Sequence, residues 1–205
     1  MGIVTCDIAT SVNGYVTGTD QRLDSPFGDG IDEKTLHGWM FDEPEEHAEE
    51  IAGILDAGAF IMGRNMFSPG RGEWDPGWRG WWGAEPPYRA PVFVLTHHPR
   101  EPLSLGQTTF HFVTGGAKAA LSLARAAANE RNVAIAGGAA TINQYLKLDA
   151  IDELRLHVTP MIVDAGERLM DAVGWHRVSL VSARSTPPVV HLTYRFDRQG
   201  VAPTN

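Results

Sequence analysis

The stretch VAIAGGAATINQYL, Val133 to Leu146, constrains the fold more than any other in the chain. An apolar run without polar alternation leads into Gly137-Gly138, and a helix-patterned segment begins at about Ala139. A strand that is apolar on both faces must be covered on both faces, which is the habit of parallel sheets flanked by helices. Similar runs recur as GIVTCDIATS, AFIMG, APVFVLT and TTFHFVT. GGAKAALSLARAAANERN reads as a second helix, ending near Asn132. IDELRLHVTPMIV is a strand with Pro160 at its end or at an irregularity. HRVSLVSARST and VVHLTYRF close the chain as an antiparallel pair.

Strands alternating with helices, followed by a strand pair, predict a single α/β domain. Its mostly parallel central sheet is flanked by helices, with antiparallel C-terminal edge strands. The domain is assigned to residues 1–198, and residues 199–205 to a C-terminal tail. Between the first strands, Gly18 to Pro44 is polar and Gly-rich, which predicts a long loop with at most one helical turn. PEEHAEEIAGILDAG predicts a helix entered at Pro44 and stopped at Gly58. RGEWDPGWRGWWGAEPPYR, Arg71 to Arg89, sets its tryptophans among Gly and Pro and reads as a loop.

Composition narrows the partners. The 205 residues carry a formal net charge of −8 with no long basic run. That balance argues against nucleic acid as main partner. No stretch approaches the roughly 18 apolar residues of a membrane span, and the N-terminus lacks the pattern of a signal peptide. A soluble, cytoplasmic protein is expected. The lone Cys6 allows no internal disulfide and reads as a buried thiol.

Two strand ends have the makings of an anion site. At Gly137-Gly138 the backbone can be approached closely, and the helix after it directs unpaired N–H groups at the approach. The same residues also suit a plain tight turn with close helix packing. In FIMGRNMF a strand ends at Gly63 and Arg64 follows, either as a solvated charge or as the cation that meets a phosphate. The Rossmann fingerprint G-x-G-x-x-G is not present.

The motifs VNGYVTG, FIMGRNMF, PVFVLTHHP, VAIAGGAATINQYL and IDELRLHVTP, in this order, resemble the dihydrofolate reductase-like superfamily. Within it the resemblance is to the branch containing the reductase domain of riboflavin biosynthesis, and it runs from Ile3 to about Phe196. It implies NADPH bound in extended form across the carboxyl edge of the sheet. By that resemblance Gly63, Arg64, Asn65 and Met66 meet the adenosine phosphates, and Thr96, His97 and His98 meet the 2′-phosphate and adenine. Gly137, Gly138, Ala139, Ala140 and Thr141 hold the pyrophosphate, with a cis bond between the two glycines. Asn13 to Gly18 matches a loop over nicotinamide, which places Val16, Thr17 and Gly18 nearby and Asn13 toward substrate.

Where folate reductases carry a substrate-anchoring carboxylate, an ungapped count places His47, with Ile51 one turn on. Asp42 and Asp32 are the alternatives if the alignment is gapped. A histidine can donate a proton near neutral pH, but it does not copy a carboxylate's paired hydrogen bonds. His47 and His157 are therefore the candidate catalytic residues, set against readings as a surface histidine and a core histidine. Asn13, Ile51, Trp74 and Trp78 are the candidate substrate contacts. No metal-ligand spacing is present, and the zinc-deaminase signature that often accompanies the riboflavin enzyme is absent.

The implied activity is NADPH-dependent hydride transfer to a small heterocyclic or carbonyl-type substrate, pterin- or ribosylaminopyrimidine-like, in a homodimer. A ribosylaminopyrimidine phosphate requires a second cation, for which Arg71, Arg79 and Arg89 are candidates. Dihydrofolate reduction proper and non-catalytic nucleotide binding are the alternatives.

Overall fold

A computed structural model describes residues 2–197. In chain order the elements are β1 (Val4–Ser11), β2 (Tyr15–Thr17), α1 (Glu33–Phe41), α2 (Ala48–Leu55), β3 (Ala59–Gly63) and α3 (Arg64–Phe67). Then come β4 (Pro91–Leu95), β5 (Leu103–Leu105), β6 (Thr108–Val113), α4 (Gly116–Ala128), β7 (Val133–Gly137) and α5 (Ala139–Lys147). The chain closes with β8 (Glu153–Thr159), β9 (Glu167–Arg168), β10 (Val178–Ser185) and β11 (Val190–Phe196).

The apolar runs take the middle of one sheet, ordered β10-β11-β8-β1-β7-β3-β4-β6-β5. From β8 through β6 every neighbouring pair is parallel. The antiparallel strands lie outside, β11 and β10 on one edge and β5 on the other. This is the predicted α/β domain with antiparallel C-terminal edge strands; β5 is an addition, a three-residue strand turned onto β6 through Gly106. The proposed tail, 199–205, lies outside the described residues.

Period-two side-chain direction divides the core. Ala59 and Ile61 of β3 join Val4, Cys6 and Ile135 beneath α4 and α5. Phe60 and Met62 face the other way, onto Phe67, Tyr88, Val92 and Phe110. α4 meets the sheet through Ala120, Ala124 and Ala128, a four-residue spacing that keeps one face small and lets the helix approach closely. Each fully buried branched or aromatic side chain in these layers stabilises the fold by about 1.5–3 kcal/mol.

Two local readings are corrected. Gly18 to Pro44 is not merely a loop, for its last part is α1, nine residues long. Asp32 caps that helix by accepting from Thr35 N at 3.1 Å, and the helix buries Leu36 and Trp39. The helix expected from Pro44 begins only at Ala48, with His47 at its N-cap and turns before it. The tryptophan-rich segment does lack regular structure, and β8 does stop just before Pro160.

Candidate cofactor cleft and histidine cluster

The carboxyl ends of β3, β4, β6 and β7 open onto a cleft of about 350 Å³. Of the residues assigned to NADPH from the sequence, Gly63, Arg64, Asn65, Thr96, His97, His98, Gly138, Ala140 and Thr141 line it. Leu95, Val113, Thr114, Gly116, Gln144 and Glu167 also line it and were missed by sequence reading. Leu95 and Gln144 lie within the recognised motifs, whereas Val113, Thr114, Gly116 and Glu167 come from the end of β6, the start of α4 and β9, which no motif covered.

Local chemistry explains how β3 and β7 end against α5. A Cβ on Gly63 would stand 2.4 Å from Thr141 Oγ1, so only glycine lets β3 end against α5. Thr141 N in turn donates to Gly138 O at 3.0 Å in the first turn of α5. The peptide bond between Gly137 and Gly138 is cis. A Cβ on Gly138 would meet nothing nearer than Glu167 Oε2 at 3.8 Å, so the backbone there is bare toward the cleft.

Arg64 opens α3 with its guanidinium carbon 4.2 Å above the Trp74 ring. Its Nε is buried without a hydrogen-bond partner, and burial lowers its pKa from the ordinary value. Trp74 Nε1 donates to His98 O at 2.8 Å, which ties Arg64's platform to the segment Thr96–His98. His98 N donates to Thr96 Oγ1 at 3.0 Å, which fixes the turn after β4.

The remaining predicted residues fall in distinct places. Met66 Sδ lies 3.6 Å from where a Cβ on Gly137 would be, and Ala139 is buried in the first turn of α5. Val16 and Thr17 belong to the β2–β9 ribbon, in which Thr17 pairs with Glu167 at the cleft wall, and Gly18 follows it. Asn13 is held by Val163 through Nδ2 to O at 2.7 Å, and Ile51 stands half-buried on α2. Trp78 donates from Nε1 to Phe67 O at 2.8 Å and, like Trp74, packs on the Phe67 side of the sheet. The four candidate substrate contacts are thus distributed between the two halves of the molecule.

His47 is buried rather than superficial, with no exposed surface. His47 Nδ1 lies 2.9 Å from His191 Nε2, and His191 Nδ1 lies 2.7 Å from His157 Nδ1. β8 and β11 bring this about, since His157 and His191 are directly opposed in an antiparallel pair and share a face. Trp39 of α1 covers all three rings at centroid distances of 5.5, 4.6 and 5.0 Å from His47, His157 and His191. Beside them, Asp7 receives Arg155 Nη1 at 3.4 Å. His191, Trp39 and Asp7 were not singled out from the sequence, because strand register, not spacing, brings them together.

Burial, with the charges of His191 and Arg155 adding to it, lowers the pKa of His157 to about 3. Burial lowers His37 to about 4 and also depresses His191, while it raises Asp7 to about 6 against the pull of Arg155. For the histidines the unfolded chain binds a proton first as pH falls below about 6.5, so their contribution to stability is lost toward acid. Asp7 acts oppositely, since its folded form takes the proton first between about pH 6 and 4. The depressed histidines outnumber it. The urea midpoint is therefore expected to fall between pH 7 and 4.5, with a limiting slope of about 1.4 kcal/mol per pH unit for each histidine. A flat or rising midpoint would contradict the lowered values of His37, His157 and His191.

A parallel sheet with these edges, open at its carboxyl end between two glycine-marked strand ends, defines the dihydrofolate reductase-like fold. The chain belongs to the RibD C-terminal domain family, whose sequence pattern matches residues 3–192. Among solved structures it is similar to a protein from Shewanella sp. PV-4 described provisionally as a riboflavin biosynthesis protein, with TM-score 0.62 and 21% identity, covering 96% of this chain and 99% of that one. It is also similar to a pyrimidine reductase-like protein from Corynebacterium diphtheriae, with TM-score 0.59 and 15% identity, covering 97% and 93%. A dihydrofolate reductase from Enterococcus faecalis complexed with NADP(H) and RAB-propyl gives TM-score 0.56 and 14% identity, covering 96% and 97%. No curated protein matches the chain by sequence. Among the described residues no helix is long and apolar enough to cross a membrane.

Proposed function

We propose that the chain is an NADPH-dependent reductase acting on a small heterocyclic or carbonyl-type substrate, pterin- or ribosylaminopyrimidine-like. The observation that carries this reading is the single cleft that gathers Gly63-Arg64, Thr96–His98 and Gly138–Thr141. Its donor set suits a dinucleotide with a 2′-phosphate. Arg64 brings a cation with an unpartnered buried Nε, and Gly138 offers a backbone cradle that any side chain would fill. The first turn of α5 adds N–H groups where pyrophosphate charge would lie. Family membership and the NADP(H) complex of the Enterococcus faecalis enzyme support the same cofactor.

When bound, NADPH supplies hydride from nicotinamide C4. The chain's own part is to orient that ring beside Gly137 and the β2–β9 ribbon, to exclude water and to supply a proton. His157, with His47 behind it, is assigned that proton. Dihydrofolate itself is the less favoured substrate, because His47 is engaged with His191 and offers no carboxylate to a 2-amino-4-oxo ring. A homodimer in the cytoplasm completes the proposal by likeness to riboflavin-type reductases. The exposed edge strand β10, with Val178, Leu180 and Val181 outward, is a surface a second copy would cover.

Titration with NADPH and NADH, followed by tryptophan fluorescence, tests the cofactor. NADPH is expected to quench at micromolar concentration and NADH at least tenfold more weakly, the difference of about 1.4 kcal/mol expected of one phosphate contact. Equal affinities, or no binding of either, would overturn the reading.

A further inference from the structure

We propose that His47, His191 and His157 form a proton relay from Glu43 at the surface to the buried position between His157 Nε2 and Asp7. This deepens the reductase reading and rests on it for its purpose. The three imidazoles are joined end to end by N···N distances of 2.9 and 2.7 Å. Both terminal nitrogens, His47 Nε2 and His157 Nε2, are buried without a hydrogen-bond partner. The outer one points to Glu43 Oε2 at 3.8 Å, on a side chain 48% exposed. The inner one points to Asp7 Oδ1 at 3.9 Å, on a side chain 5% exposed. Both gaps are too long for a direct bond and suit an atom that arrives and leaves.

The protons balance with every ring neutral. In the delivering state His47 carries its hydrogen on Nδ1, His191 on Nδ1 and His157 on Nε2; Arg184 Nη1, 3.4 Å from His47 Nδ1, then donates to Glu50 Oε1 at 3.0 Å and not to the ring. When His157 Nε2–H gives its proton to an acceptor, His157 Nδ1 takes the one on His191 Nδ1. His191 Nε2 then takes the one on His47 Nδ1, and the bare His47 Nε2 takes a proton from Glu43 or solvent. The hydrogens then sit on His47 Nε2, His191 Nε2 and His157 Nδ1, and the rings must turn back before a second delivery, whereas the same transfers in reverse exchange the protons with water. No ring need become a buried imidazolium, which burial opposes at His157 and His191. Arg155, paired with Glu153 and Asp7, flanks the inner end, Arg184 Nη1 stands 3.4 Å from His47 Nδ1, and His37 approaches from α1; Glu50 and Glu43 face the cluster from the acidic side. Trp39 over the rings keeps the path dry.

The inner end lies two strands from the glycine pair of the cofactor cleft. Ile8 is level with Gly137, whose added Cβ would sit 3.5 Å from Ile8 Cδ1, and the next residue, Ala9, pairs with His157. β1 alone separates β7 from β8, so the glycine pair and His157 are two strand spacings apart, roughly 10 Å. The alternative use of the cluster is a cation site, since His47, Glu50 and His191 bring ligating atoms within 4.8 Å. Arg184 already fills that role, with Nη1 3.0 Å from Glu50 Oε1 and Nη2 donating to Glu46 O at 2.8 Å.

The test is the exchange with water of the His157 and His191 ring N–H protons, by 15N-edited NMR on histidine-labelled, ligand-free protein. The relay predicts rapid exchange in the native chain despite burial. It predicts slowing by about tenfold or more in His47→Gln, which keeps a hydrogen-bonding side chain but cannot pass a proton. The exposed Glu43→Gln, which leaves packing alone, slows it less. Exchange in the native chain as slow as that of core amides, or exchange unchanged in both variants, overturns the relay. Should His47→Gln fail to fold, Glu43→Gln decides. NADPH affinity in the same samples is expected to be unchanged; absence of NADPH binding by the native chain would count against the reductase reading and not against the exchange result.

Discussion

Gly138→Val is expected to abolish NADPH binding, by about 100-fold or more, while leaving the chain folded with a thermal midpoint within a few degrees of the native one. The space around the residue supports both halves of this result. A Cβ at Gly138 has no atom nearer than 3.8 Å, so a side chain meets open cleft rather than the protein's own core. The same side chain covers the N–H groups at the start of α5 that a pyrophosphate requires. Gly63→Ala should do the reverse. Its Cβ would collide with Thr141 Oγ1 at 2.4 Å, and the cost falls on packing of β3 against α5, felt first as lost stability. Calorimetric titration with NADPH, beside a melting curve, checks the pair. A Gly138→Val chain that binds normally would return the glycine pair to the role of a tight turn.

How much of this was legible in the sequence follows from how local each feature is. The buried strands and the glycines and arginine that end them are local, and the fold carries them to one sheet edge almost unaided. The nine residues of α1 were less visible. Its capping pair Asp32 and Thr35 and its buried Leu36 and Trp39 have helical spacing, but Gly38 interrupts the pattern and a Gly-rich stretch precedes it. The histidine cluster was least visible. His191 meets His157 across 34 residues and His47 across 144, and both meetings depend on the register of β11 against β8. A one-residue slip would turn both strand histidines to the other face, so only the fold decides whether they meet. The tryptophan loop illustrates the same limit. Its lack of regular structure could be read from Gly and Pro, but its docking through Trp74 and Trp78 onto His98 and Phe67 could not.

Arg64→Ala is expected to weaken NADPH by roughly 10- to 100-fold and NADH far less, the loss of one charge-assisted phosphate contact worth about 1.5–3 kcal/mol. The selectivity follows from where the guanidinium is held. It stacks on Trp74 at 4.2 Å, and Trp74 is anchored to His98 O, so the cation is fixed beside the segment assigned to the 2′-phosphate. An arginine tethered only by its own chain would be more mobile and its removal less discriminating. Arg64→Lys separates the two parts of this account. It keeps the charge but loses the planar stacking on Trp74, and should recover only part of the affinity. Fluorescence titrations of the three chains with both dinucleotides, repeated at raised salt, give the measurement. An electrostatic contact predicts that native selectivity shrinks as salt rises while that of Arg64→Ala stays flat. Equal losses for NADPH and NADH would instead assign Arg64 to the pyrophosphate, and no loss would leave it as the clamp that seats the tryptophan loop.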